Sequence, residues 1–260
     1  LAAGTIAYLI NISELMIAIL LFIAIIIMIR HYIRGKSKND IGIDEGLVLA
    51  ESSSLQGVIH ESAKTIAKLI KRGNKVYNNT IEGLSRQDLS LLDKNNKQIN
   101  KLSQEVDDLK NKLFYFIRNL DESSLGASNF YINLLGYLQD ITQSLEYISK
   151  TSHKHINNNH SKLRLSQIRD LIEIDKAMND LFEEIEISFE KRSFHKMEVI
   201  LKNKNKVFSL VDDKIEAQIS RTRTTEAISP RNTTLYFSIL QETKDLLKAI
   251  MSLIEEYYFS

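Results

Sequence analysis

A chain of 260 residues is long enough to bury a substantial core, and 34 Lys and Arg against 33 Asp and Glu leave a net charge of +1. That balance argues against a nucleic-acid binder, which would carry a clustered basic excess, so no nucleic acid is expected among the partners. The lack of cysteine excludes disulfides, thiolate metal sites and cysteine nucleophiles, while a single Pro and nine Gly point to long uninterrupted helices rather than strands and turns.

The first residue is Leu1, not Met, and the chain reads as part of a longer or processed protein. From Leu15 to Ile29 the run LMIAILLFIAIIIMI carries no charge. At ~1.5 Å per residue it falls short of a ~30 Å hydrocarbon core. Adding Ile6 to Ser13 reaches spanning length and places Glu14 inside the span. Two placements of Glu14 remain open: near the outer interface of a tilted helix, the simpler one, or facing neighbouring helices in a bundle. Arg30, Arg34, Lys36 and Lys38 follow at once, with His31 and Tyr32 at the interface, so this end is expected to face the cytoplasm. A cleaved signal peptide would need a basic start and a small-residue cleavage site; the pattern here is stop-transfer. The expected organisation is a transmembrane helix and basic flank over 1–34, a linker over 35–50, a first three-helix bundle over 51–158 and a second over 159–260.

Beyond the linker, apolar residues recur at spacings of three and four. The first helix carries Leu55, Ile59, Ile66, Leu69, Val76 and Leu84; Ser85 with Asp88 then reads as a capping-box start for the next. The second carries Leu92, Ile99, Leu102, Val106, Leu109, Leu113 and Phe116. A break near Asp121 precedes the third, with Tyr131, Leu134, Leu138, Ile141, Leu145 and Ile148. The polar run around Asn157 is the longest interruption. The fourth helix holds Ile168, Leu171, Met178, Leu181, Ile185 and Phe189, and a break from Lys191 to Phe194 leads to the fifth, with Met197, Leu201, Phe208, Val211, Ile215 and Ile219. Ser229 as cap and Pro230 at the first helical position open the sixth, with Tyr236, Leu240, Leu247, Ile250 and Ile254. Each helix has one apolar stripe and needs partners, so the fold class is all-α: a transmembrane helix followed by six long helices in two antiparallel three-helix bundles. Phe116, Tyr131, Phe182 and Phe189 are expected in the core.

No catalytic arrangement stands out. The chain has no glycine-rich phosphate loop, G-x-S-x-G elbow or HExxH. His153, His155 and His160 lie close in sequence, and a solvated helix end or linker is the simpler reading beside a metal site. The acidic stretch from Phe182 to Glu186 reads as a solvated face. No catalytic residue and no cofactor are expected, and the chain is not expected to be an enzyme.

The stretch from Asn129 to Leu163, NFYINLLGYLQDITQSLEYISKTSHKHINNNHSKL, resembles the cytoplasmic tails of bacterial Pit-type inorganic phosphate transporters. In those tails a helix of the form Y-L-x-D-x-x-x-S-L-x-Y-I runs into a His- and Asn-rich linker. Six long helices as two repeats of three behind a membrane anchor are also the plan of PhoU-like domains, and the resemblance covers the body from about residue 50 to the end. It implies that the apolar segment is the transporter's last membrane helix, at the cell inner (plasma) membrane, with a cytoplasmic regulatory or assembly body. Its partners would be the membrane and the upstream transmembrane domain, which would handle phosphate. A sodium-coupled phosphate symporter is a nearby variant. PhoU-like domains hold metal clusters through E-x-x-x-D motifs on their third and sixth helices. The matching positions here are Gln139 and Gln143, then Gln241 and Asp245, and amides are poor ligands for a hard cation, so no firm metal site is expected. The other reading is a single-pass membrane signalling or scaffold protein whose helical body dimerises; heptad-like stretches in the third helix allow such a homodimer.

Overall fold

The computed structural model describes residues 54–118, 125–194, 196–224 and 229–260. The expected membrane segment with Glu14, the linker and the break at Asp121 lie outside these residues. Among the described residues no helix is long and apolar enough to cross a membrane.

Six long α-helices follow one another: α1 (Leu55–Arg86), α2 (Leu89–Arg118), α3 (Leu125–Asn157), α4 (Leu165–Glu190), α5 (Met197–Thr224) and α6 (Pro230–Phe259). Their ends have local causes. The Ser54 side chain accepts from the Gly57 backbone N–H at 3.1 Å and so starts α1. Gln87 closes α1 in the left-handed conformation at φ 58°, its N–H reaching the carbonyls of Gly83 and Leu84. Ser85 does not cap α2, as the capping-box reading held; it lies in the last turn of α1. The cap of α2 is Asp88, whose Oδ1 accepts from the Leu91 N–H at 2.9 Å. The left-handed turn at Gln87 spends the Ser85 position on finishing one helix and leaves Asp88 to begin the next. Ser229 and Pro230 open α6 as expected, with Ser229 accepting from the Asn232 N–H at 3.4 Å.

All six helices belong to one compact unit, Leu47–Ser260, and share one continuous apolar core. α1, α2 and α3 pack mutually; α1 also packs on α4 and α3 on α6, while α5 joins α4 to α6. Leu69, Leu138, Leu171 and Leu247 are fully buried within their stripes, each contributing about 1.5–3 kcal/mol of transfer free energy. Gly83 is required by this packing, because a Cβ there would sit 2.6 Å from Leu92 Cδ2, where α1 turns into α2. Tyr131, Phe182 and Phe189 are buried, and Phe116 is half-buried, stacked on Tyr131 at 4.1 Å between ring centroids.

These ring contacts also orient the bundle. Tyr257 near the end of α6 meets Phe130 near the start of α3 at 5.0 Å and Phe189 at the end of α4 at 4.8 Å. Phe194, just before α5, lies 5.7 Å from the same ring. The Tyr257 hydroxyl shares a 2.6 Å hydrogen bond with Ser62, two turns into α1. The starts of α1, α3 and α5 and the ends of α2, α4 and α6 therefore gather at one end, the aromatic end.

Candidate functional site

α3 and α6 run antiparallel, as the pairs Ser144–Glu242 and Asn133–Glu256 show. Between them lies an open groove of about 290 Å³. α3 contributes Tyr137, Asp140, Gln143 and Ser144, and α6 contributes Glu242, Asp245, Lys248, Ala249 and Ser252. The spacing explains the convergence: on each helix these positions step by three or four, so they form one row beside the buried stripe. The small side chains of Ser144 and Ala249 leave the space between the rows.

The groove holds three carboxylates and one ammonium. Ser144 Oγ donates to Glu242 Oε1 at 2.8 Å, and Lys248 Nζ donates to Asp245 Oδ1 at 2.7 Å. At its edge Glu256 accepts from Asn133 Nδ2 at 3.2 Å and from the Tyr137 hydroxyl at 3.4 Å. Loss of hydration, and then the Glu256 charge, push the Tyr137 phenol up.

Of the four positions singled out by the resemblance, the structure brings only Gln143 and Asp245 into this groove. Gln139 turns to α2, where its Oε1 accepts from Lys110 Nζ at 2.7 Å, and Gln241 is exposed outside the groove. The acids that do face it, Asp140 and Glu242, stand one residue further along each helix. The signal that finds them is the row itself: Tyr137, Asp140 and Ser144 step together, as do Glu242, Asp245, Ala249 and Ser252.

These groups do not fit a PhoU-type metal cluster. Asp245 is neutralised by Lys248 on its own helix, Glu242 is engaged by Ser144, and among the described residues no three of His, Asp and Glu converge to hold an ion. The three histidines do not converge on a shared ion either: the His155 and His160 rings meet edge to face at 5.2 Å between centroids, but each of the three turns a ring nitrogen to a different partner. His153 Nε2 lies 2.6 Å from Asp93 Oδ1, His155 Nε2 donates to the Ser161 carbonyl at 3.0 Å, and Arg231 donates to His160 Nδ1 at 3.1 Å. His155 is buried rather than solvated: it ties the end of α3 to the loop that follows.

Polar seams also sit between helices, among them one at Asp170 and one at Asp175, neither visible in the sequence. On α4 the buried Asp170 accepts from Arg221 at 3.0 Å and from the Tyr236 hydroxyl at 3.0 Å, with Lys214 at 3.3 Å. Between α1 and α4, Asn78 donates to Asp175 Oδ2 at 2.8 Å and Asn74 to Asn179 at 2.9 Å. Asp175 Oδ1 is buried with no donor, and burial pushes this carboxyl up to about 6 against the pull of Asn78. The pairings cross helices far apart in sequence, so no local motif announces them.

In comparison with known proteins, no family, no curated protein and no solved structure matches this chain.

Proposed function

We propose that this chain is the C-terminal part of a Pit-type inorganic phosphate transmembrane transporter. In this reading residues 1–34 are its last membrane helix and flank, and the helical body is a PhoU-like cytoplasmic module of two three-helix bundles, α1–α3 and α4–α6. The body performs no chemistry. It favours one transporter conformation through contacts that differ between states, and so regulates or assembles the permease. Phosphate passes through the upstream membrane domain, and no resident metal belongs to the proposal.

The observation that carries the reading is a folded-back body of six long helices behind an apolar run with a basic stop, with the transporter-like wording concentrated in α3. The mutual packing of α1, α2 and α3 supports the first three-helix unit. The scaffold alternative needs an apolar stripe left over for dimerisation. Its best candidate, the α3 stripe of Tyr131, Leu134, Leu138, Ile141, Leu145 and Ile148, is buried inside the single chain.

The reading frame upstream of Leu1 tests the proposal. Several apolar segments with polar breaks near mid-membrane are expected. A start codon close upstream would contradict it and leave a single-pass protein.

A further inference from the structure

The two ends of the body differ in what they show to solvent. At the aromatic end Phe114, Tyr115 and Ile117 on the last turns of α2 are exposed, as are Leu125 at the start of α3 and Tyr258 and Phe259 at the end of α6. Phe114, Tyr115, Leu125, Tyr258 and Phe259 are each 50–80% accessible, values that large apolar side chains seldom reach in a group without a partner. At the opposite end, among the described residues, Leu165 and Ile219 are exposed singly, but no exposed Phe or Tyr lies in the first or last two turns of any helix, so the difference is in rings. α2 and α6 both pack on α3, so their exposed rings flank its start from two sides.

Chemistry and chain path together name the occupant. Rings with one wet and one apolar face, beside Lys and Arg whose stems reach over hydrocarbon, are what a bilayer interface selects. Here Lys110, Lys112 and Arg118 are exposed on the same turns as Phe114 and Tyr115. The acids Glu198 and Glu255 are exposed at this end too, so burial of rings rather than bulk charge supplies the attraction. The chain enters α1 at this end. Residues 35–53, which follow the expected membrane helix and basic flank, reach at most about 65 Å, so a spanning segment upstream tethers the chain to lipid by this end.

We infer that the aromatic end of the body docks on the cytoplasmic lipid surface, inserting the rings of α2 and α6 at the headgroup level. Docking sets the long axes of the helices upright on the membrane and holds the α3–α6 groove to the side. The inference rests on the membrane-anchored reading of residues 1–34.

The chain has no cysteine, so single labels are clean. The full chain is reconstituted into vesicles of equal parts phosphatidylcholine and phosphatidylglycerol, with an environment-sensitive fluorophore on Tyr115→Cys, Phe259→Cys or, at the far end of α5, Arg223→Cys. All three sites are exposed, so the fold tolerates them. Brominated lipids are expected to quench the labels at 115 and 259 severalfold more than the label at 223. Equal quenching at all three positions, in protein that co-floats with the vesicles, overturns docking and leaves the anchor standing. A blue-shifted label at 115 that lipid does not quench but that cross-links to a second copy also overturns it, in favour of self-association. Protein that fails to co-float overturns the anchored reading, and docking with it.

Discussion

The first three helices and the last three solve the same problem in different chemistry. Each set must fix the register of long helices whose apolar stripes alone would tolerate sliding. In α1–α3 the fixed point is neutral: Asn95, fully buried on α2, presents its amide N–H groups to the Val76 carbonyl at 2.9 Å and Thr80 Oγ1 at 2.7 Å on α1, and to Ser149 Oγ on α3 at 3.3 Å. Two N–H groups serve three acceptors, and Ser149 passes its own proton to Asn96 at 2.7 Å. In α4–α6 the fixed point is ionic, Asp170 between Arg221, Lys214 and Tyr236. A neutral node is indifferent to salt and pH, whereas a buried carboxylate held by two cations fails badly when one member is removed. In both sets the middle helix is the least buried: α2 adds Leu92, Ile99, Leu102, Val106 and Leu109 to the core, and α5 adds Met197, Ile200, Val207 and Val211.

Breaking the ionic node has the largest expected effect. Asp170→Ala takes the shared acceptor from Arg221 and Lys214, leaving Lys214 to Glu173, and strands the Tyr236 hydroxyl. The cost is about 3 kcal/mol, the low end for a broken buried pair because Arg221 is more than a third exposed. Urea unfolding measures it, and a loss below about 1 kcal/mol would remove the ionic seam from the account. Asn95→Ala should cost less, about 1–3 kcal/mol, because the hydroxyls and carbonyl it leaves are neutral. The contrast sharpens with salt: the effect of Asn95→Ala should not change as ionic strength rises, while that of Asp170→Ala should shrink.

Two glycines of α1 extend the test to packing. Gly83→Ala places a Cβ 2.6–2.7 Å from the fully buried Leu92 and should destabilise by about 1–2 kcal/mol despite its better helix propensity. Gly73→Ala meets the flexible end of Leu145 at 3.1 Å and Phe182 Cε1 at an ordinary 3.9 Å, and its propensity gain should leave it neutral or slightly stabilising. Thermal melts of the pair read the difference directly.

The smallest effect concerns pH, at the seam where the two sets meet. Asp175 has its carboxyl pushed up to about 6 from an ordinary value of 3.8, so the folded chain keeps a proton that the unfolded chain has released. Stability should therefore fall as pH rises from about 4 to about 6 and stay level above. Asp175→Asn should abolish that slope and stabilise the protein near pH 7 by about 1 kcal/mol, reduced from the full linkage value because the carboxyl is partly solvated. Melts across this pH window decide it; an unchanged slope in the variant would assign the effect elsewhere.

The helices were legible in the sequence because stripes at three and four residues report helical burial directly, and the breaks at Asn157, Lys191 and Ser229 are where helices end or begin. The cap of α2 was misplaced by three residues because Ser85 fits a capping-box template as well as Asp88 fits a simple cap; only the left-handed Gln87 separates the two. The groove was half found: on each helix one template position lines it and the other misses it by one residue. A single step turns a side chain about 100° around the axis, so the first positions of the E-x-x-x-D template, Gln139 and Gln241, turn out of the groove that Asp140 and Glu242 line, while its last positions, Gln143 and Asp245, stay in it. Asp170 and Asn95 were silent because their partners sit on other helices, and one sequence carries no record of such pairings.

Phosphate uptake tests the central claim most directly. The full gene, including whatever precedes Leu1, is expressed in cells lacking their own phosphate transporters, with and without residues 47–260. The account predicts phosphate uptake by the full protein, and transport by the truncated one that no longer adjusts to phosphate supply. Absence of uptake from the intact, membrane-inserted protein would contradict it.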